Sequence, residues 1–181
     1  MLEVTGHPTM MCSRPADGHA LERIGGDVQD SQRHRRLLRQ AKLLAKRYHE
    51  VTGRPLGVTG EIAEYEAVML LELDLAPARQ SGYDAVRHTP SGPHRLQIKG
   101  RRLPNGRTGG RMGRIDRENP DWDGVLLVLL DEGFDAAEIF EADRAAVVEA
   151  LARPGSKSRT ERGALGVSQF KAIARRVWSR E

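Results

Sequence analysis

Between Ser31 and about Glu50, apolar Leu37, Ala41, Leu44 and Tyr48 recur every three to four residues, and Leu38 and Ala45 widen the stripe. This period predicts an amphipathic helix capped by Ser31, with Arg33, Arg35, Arg36, Arg39, Lys42, Lys46 and Arg47 on its other face. Gly53–Gly60 reads as a loop. A second helix is predicted from about Val58 or Thr59 to Leu73, with Ile62, Tyr65, Met69 and Leu73 on one face and Ala63, Ala67 and Leu70 beside them. Leu75–Arg79 reads as a loop or short strand. Tyr83–Arg87 and Arg95–Lys99 read as strands, joined through a Pro90-Ser91-Gly92-Pro93 turn signal. Leu103–Gly113 is rich in Gly and Arg and reads as a mobile loop. Val125–Leu130 is continuously apolar, the pattern of a strand buried on both faces. Glu138–Glu141 predicts a short strand, and Asp143 caps a helix that stops before Pro154. Ser168 caps a last helix, with Phe170, Ile173, Ala174 and Val177 as its stripe. The order α-α-β-β-β-β-α-α, with room for one more strand, predicts a mixed α/β fold: a small central mixed sheet flanked by helices. Residues 1–30 show no periodicity and read as a disordered or weakly ordered segment before a single domain at 31–181.

Composition narrows the class. Aromatic residues make up only 4% of the 181, so the core must be built from Leu, Val, Ile and Ala. A single cysteine, Cys12, excludes a disulfide framework and a Cys-rich zinc site, and it fits a reducing cytoplasm. No apolar run approaches the roughly 18 residues of a membrane span, and the N-terminus lacks the apolar core of a signal peptide. The expectation is a cytoplasmic protein with no membrane partner.

The charge pattern says more than the net +4. Residues 31–54 carry eight Lys/Arg against one acid, 87–117 nine against one, and 152–181 eight against two. Residues 55–86 carry one against six, and 118–151 one against ten. Basic blocks flanking an acidic centre suit a polyanion held while a metal sits at carboxylates. The plainer reading is a set of salt-bridged surface helices. No Walker A loop, no helix-opening G-x-G-x-x-G, no Ser-His-Asp grouping and no H-E-x-x-H is present. His88 and His94 read as turn histidines, and Trp122 and Trp178 as packing residues.

The candidate chemistry lies in the predicted hairpin. Its first strand carries Gly82-Tyr83-Asp84-Ala85-Val86, and its second Leu96-Gln97-Ile98-Lys99-Gly100-Arg101-Arg102. Gln97 and Lys99 share one strand face because side chains alternate. A turn centred near Ser91 sets Asp84 opposite Ile98, with a pair sum of about 182. Only an odd sum, 181 or 183, puts Asp84 on the face of Gln97 and Lys99. With that register, Asp84 and the Gln97 amide oxygen are hard ligands for Mg²⁺. Lys99 then orients or activates the attacking water and stabilises transition-state charge. One further carboxylate is needed. Glu61, in the first turn of the second helix, is the first choice and Glu64 the reserve. Arg101, Arg102, Arg107, Arg111 and Arg114 follow among glycines and can fork onto phosphates.

These residues resemble the PD-(D/E)XK nuclease superfamily, with its restriction-endonuclease-like fold. That family places a Glu on an N-terminal helix, an Asp at the start of a strand, and Glu/Asp-x-Lys on the next strand. Gly60-Glu61, Asp84 and Gln97-Ile98-Lys99 match in that order, over about residues 57–131. Two departures stand out: Gln97 where Glu or Asp is commonest, and Tyr83 where the motif has Pro. The resemblance implies a metal-dependent endonuclease acting on DNA, with RNA as the other polyanion. Mg²⁺ is the implied cofactor and Mn²⁺ its substitute, held by Asp84, Gln97 and Glu61. Catalysis would rest on Glu61, Asp84, Gln97 and Lys99. Such nucleases often pair subunits to cut both strands, so a homodimer is a further expectation. Taken singly, each residue has a plainer reading: a helix-start Glu, a turn Asp, polar positions on an edge strand. None of these readings predicts all four in this order. Gln97 favours one rival, a catalytically silent module of the same fold that binds nucleic acid or assembles a complex. A second rival is an interaction protein with no polyanion partner.

Overall fold

The computed structural model describes residues 19–54, 56–77, 79–103, 110–155 and 161–181, with side chains from residue 33 onward. The chain divides into two compact units, residues 1–37 and 38–181. The helix α1 (His19–Thr52) begins in the first unit and ends in the second. It starts well before Ser31, so Ser31 is not its cap. The part of the predicted weakly ordered segment at 1–18 lies outside the described residues.

The second unit is a mixed α/β structure. After α1 come α2 (Thr59–Leu71), β1 (Asp74–Leu75), β2 (Ala85–Thr89), β3 (Gly92–Arg102), β4 (Gly124–Leu130), β5 (Ala136–Asp143), α3 (Arg144–Ala152), α4 (Val167–Lys171) and β6 (Arg175–Ser179). The six strands form one sheet in the order β1-β2-β3-β4-β5-β6. All neighbours are antiparallel except β3 and β4, which run parallel. The sheet is therefore mixed, and helices cover both of its faces.

β4 explains the layering. All seven of its residues are buried, as its unbroken apolar run requires. Leu126, Val128 and Leu130 join Leu96, Ile98 and the α2 residues Ile62, Ala63 and Ala67 in one core. Val125, Leu127 and Leu129 join Phe140, α3 Val147 and Leu151, and α4 Phe170 in the other. A parallel β3–β4 pair needs a crossover. Its described part, 110–123, anchors Met112, Ile115 and Trp122 in the second core.

Three elements differ from the sequence pattern. On α1, Leu44 is 59% exposed and Tyr48 38%, and the residues buried are Leu38 and Ala45. Lys42, on the buried side, has its ammonium 2.7 Å from both Glu66 and Asp135. Leu38, Lys42 and Ala45 share one helix face, and that face, not the Leu37–Leu44–Tyr48 stripe, is the one turned inward. α2 stops at Leu71 because Glu72 adopts the left-handed conformation at φ 53°. The last helix shrinks to α4, and Arg175–Ser179 becomes the edge strand β6, paired with β5 through Ile139↔Trp178 and Glu141↔Arg175. Sheet pairing there overrides a helical repeat. The start of α4 is capped at Gly166, whose N–H donates to Gln169 Oε1 at 3.0 Å, and not at Ser168.

Candidate active site

The β2–β3 hairpin closes through two residues, Pro90 and Ser91. Its pairs run from Ala85↔Leu96 to Thr89↔Gly92, and each sums to 181. The register is odd. β3 continues past Leu96 without a β2 partner, because β2 starts at Ala85. Asp84 fills that gap. Its N–H donates to the Leu96 carbonyl at 2.8 Å. Its Oδ2 accepts the Ile98 N–H at 2.6 Å. Lys99 Nζ lies 3.9 Å from the same oxygen. Asp84, Gln97 and Lys99 line one open cleft of about 270 Å³. Gln97 is only 5% exposed, and its amide has no hydrogen-bond partner among the described residues.

The far wall of the cleft is the crossover, through Arg114, Asp116 and Asn119. This wall is tied down. Met112 and Ile115 are buried, and their N–H groups donate to the Leu165 and Gly163 carbonyls at 2.8 and 2.9 Å. The buried Trp122 donates its Nε1–H to the Asp116 carbonyl at 2.8 Å. Arg144 stacks 4.3 Å over the Trp122 ring and donates to the carbonyls of Arg117, Asn119 and Trp122. Asn119 donates to Ser81 Oγ at 3.2 Å, joining crossover to hairpin. Gly82 makes that approach feasible. Its φ is +95°, and a Cβ there would stand 2.9 Å from Asp121 Cβ. Sequence reading missed Asp116, Asn119 and Ser81. One signal was available: Asp116 is the lone acid of the basic block 87–117.

α2 approaches from the other side of β3. At Gly100 a Cβ would stand 2.6 Å from Ala63 Cβ and 2.7 Å from the Thr59 carbonyl, so the missing side chain lets the first turn of α2 lie against the strand. Glu61 is exposed there, and Glu64, one turn on, is half-buried. Neither lines the cleft. Glu64 is nevertheless coupled to it. Burial pushes its carboxyl up to about 7, the negative charges of Asp84 and Glu61 add to the rise, and Lys99 opposes it. From α2, Glu64 is thus coupled to Asp84 and Lys99 across the strand.

The arginines separate by strand alternation. Arg101 shares the face of Gln97 and Lys99, and its guanidinium packs on the backbone at Gly110. Arg102 points to the opposite face, 5.0 Å over the Phe134 ring, with its Nε buried and without a hydrogen-bond partner. Arg114 lines the cleft, and Arg111 is exposed at a bridge to Gly166. Arg107 lies outside the described residues.

The neutral and anionic groups lining the cleft are all oxygen donors: the carboxylates of Asp84 and Asp116, the amides of Gln97 and Asn119, and the hydroxyls of Ser81 and Tyr83. That set fits a hard divalent cation and not zinc, which prefers nitrogen and sulfur. Among the described residues no three or more His, Cys, Asp or Glu are grouped to hold a metal, so any site here has a low anionic count. Such a site leaves coordination positions for water and substrate oxygens. No described helix is long and apolar enough to cross a membrane. Compared with known proteins, the chain matches no family model and no curated sequence.

Proposed function

We propose that the protein is a metal-dependent nuclease that hydrolyses phosphodiester bonds of DNA, with this cleft as its active site. The observation that carries the reading is the odd hairpin register, which gathers Asp84, Gln97 and Lys99 at one cleft. The order helix Glu, Asp at the entry to β2, Gln-x-Lys and then a parallel β4 supports the likeness to the restriction-endonuclease-like fold. Asp84 and Gln97 hold Mg²⁺ or Mn²⁺ from the hairpin. When bound, the cation polarises a phosphoryl oxygen and acidifies a water. Lys99, close to Asp84, orients the attacking water and stabilises the charge on the phosphorus oxygens. Arg114, Arg111 and Arg101 grip the flanking phosphates as forked donors. Glu64, coupled to Asp84 and Lys99 from α2, acts on the cleft through its charge without lining it. Pairing of two subunits and a cytoplasmic setting complete the proposal, the latter supported by the lone Cys12.

A second reading is favoured by Gln97, which offers a neutral oxygen where a carboxylate is commonest. In that reading the cleft grips nucleic acid without cutting it. Incubation of supercoiled plasmid and of single-stranded RNA with Mg²⁺, Mn²⁺ or EDTA separates the two. Metal-dependent nicking supports the nuclease. Intact substrate together with salt-sensitive binding supports the silent module.

A further inference from the structure

We propose that Asp116, on the β3–β4 crossover, is the second carboxylate ligand of a divalent cation in this cleft, facing Asp84 and Gln97. The inference rests on the metal-dependent reading of the cleft and assigns its missing ligand to a residue outside the hairpin and outside α2.

Three observations converge on it. First, Asp116 lines the cleft, whereas Glu61 and Glu64 do not. Second, Asp116 is held ready. Its carbonyl is fixed by the Trp122 indole, and its Oδ1 accepts the Glu118 N–H at 3.2 Å, which leaves Oδ2 for a ligand. Asp84 has the same division of labour: Oδ2 takes the Ile98 N–H, and Oδ1 is left over. Carboxylates oriented by such outer bonds make better ligands than mobile ones, because less freedom is lost on binding. Third, Gln97 is nearly buried, and it lines this cleft with no side-chain hydrogen-bond partner among the described residues. A nearly buried amide that opens only into the cleft must find its partner there, in a ligand or in water. A cation, or its water shell, between the two Asp residues gives that amide oxygen a partner. Lys99 and Arg114 balance the two carboxylates, so the cleft stays near neutral and accepts a cation together with a phosphate oxygen. All donors are oxygen, so the ligand class is a hard divalent cation, Mg²⁺ or Mn²⁺.

The experiment is a titration of the full chain with Mn²⁺ alone, without nucleic acid, following free Mn²⁺ by electron paramagnetic resonance. Asp116→Asn keeps the acceptor for the Glu118 N–H and removes the charge. It is expected to weaken Mn²⁺ binding about tenfold or more, as is Asp84→Asn. Asp116→Glu keeps the charge but displaces the carboxylate, and it weakens binding as well. Glu118→Gln removes an exposed charge two residues away and leaves the affinity within about twofold, a surface-screening effect only. Thermal melts confirm that each variant is folded. Wild-type affinity in Asp116→Asn overturns the proposal. So does a loss that appears in Glu61→Gln or Glu64→Gln instead, or wild-type protein that takes up no Mn²⁺. Mn²⁺ held through Asp116 in a protein that nicks no plasmid keeps this inference and removes the nuclease reading. Nicking with Asp116 dispensable does the reverse.

Discussion

Lys99 Nζ lies 3.9 Å from Asp84 Oδ2, and both side chains line one cleft while remaining partly exposed. A partly solvated pair at that separation contributes little to folding, about 0–1 kcal/mol. Lys99→Ala should therefore melt within a few degrees of wild type. Asp84→Ala also frees the Ile98 N–H and should cost about 1 kcal/mol more. Calorimetric melts check both. A collapse of either variant would mean that the pair holds the fold and not a site.

Glu64 makes stability depend on pH. Its folded carboxyl titrates near 7 and its unfolded one near 4.5, so between those values the folded state holds more protons. Stability is then lost as pH rises from about 4.5 to about 7, and the penalty is complete above that. Glu64→Gln removes the penalty. Without divalent cations, the variant should be more stable than wild type by about 1 kcal/mol at pH 8, a figure reduced for the solvent screening of a half-exposed group. The two should match near pH 4. Denaturant melts at both pH values read the difference, and an equal offset at both would remove the coupling.

Gly100 is the contact that seats α2 on β3. Gly100→Ala drives a methyl into Ala63 and the Thr59 carbonyl. The overpacking should cost about 1–3 kcal/mol. It should also move Glu64 away from Asp84 and bring its carboxyl back toward the ordinary range, read by carbon-13 titration of that side chain. An unchanged titration in a folded variant would show that the close approach does not position the carboxylate.

At the far end of the sheet, Glu141 is 3% exposed, and Arg87 forks onto both of its oxygens at 2.8 and 3.0 Å. Burial pushes the Glu141 carboxyl up, but the Arg87 hydrogen bonds and charge, aided by Arg175 and His94, outweigh it, and the net shift is down. A depressed carboxyl adds stability above its unfolded value and loses it as pH falls through the folded one. Arg87→Ala strands the buried charge and should cost about 2–4 kcal/mol at pH 7. The loss should shrink near pH 4, where Glu141 can take a proton. Urea unfolding at the two pH values tests this, and a loss that does not change with pH would contradict it.

The strand pattern was legible where one residue type decided it. Val125–Leu130 can only be a strand covered on both faces, and Pro90-Ser91 marks the hairpin. The register was not legible, because one residue at Gly92 separates a sum of 181 from one of 182. Gly92, at φ +118°, enters the ladder opposite Thr89, and this shift puts Asp84 at the level of Gln97. The exposed side of α1 was not legible, because the face it buries, with Lys42 paired to Glu66 and Asp135, is set by partners distant in the chain. β6 was read as helix because its repeat fits both states until β5 offers an edge. Asp116 and Asn119 reach the cleft only through contacts with Trp122, Arg144 and Ser81, which no local spacing encodes.

The most direct test of the central claim is nicking of supercoiled plasmid in Mg²⁺ or Mn²⁺, comparing wild type with folded Asp84→Ala and Lys99→Ala. The account predicts relaxed and linear plasmid from wild type, none in EDTA, and a loss of about a hundredfold or more in each variant. Nicking that survives in both variants, or no metal-dependent nicking by wild type, would contradict it.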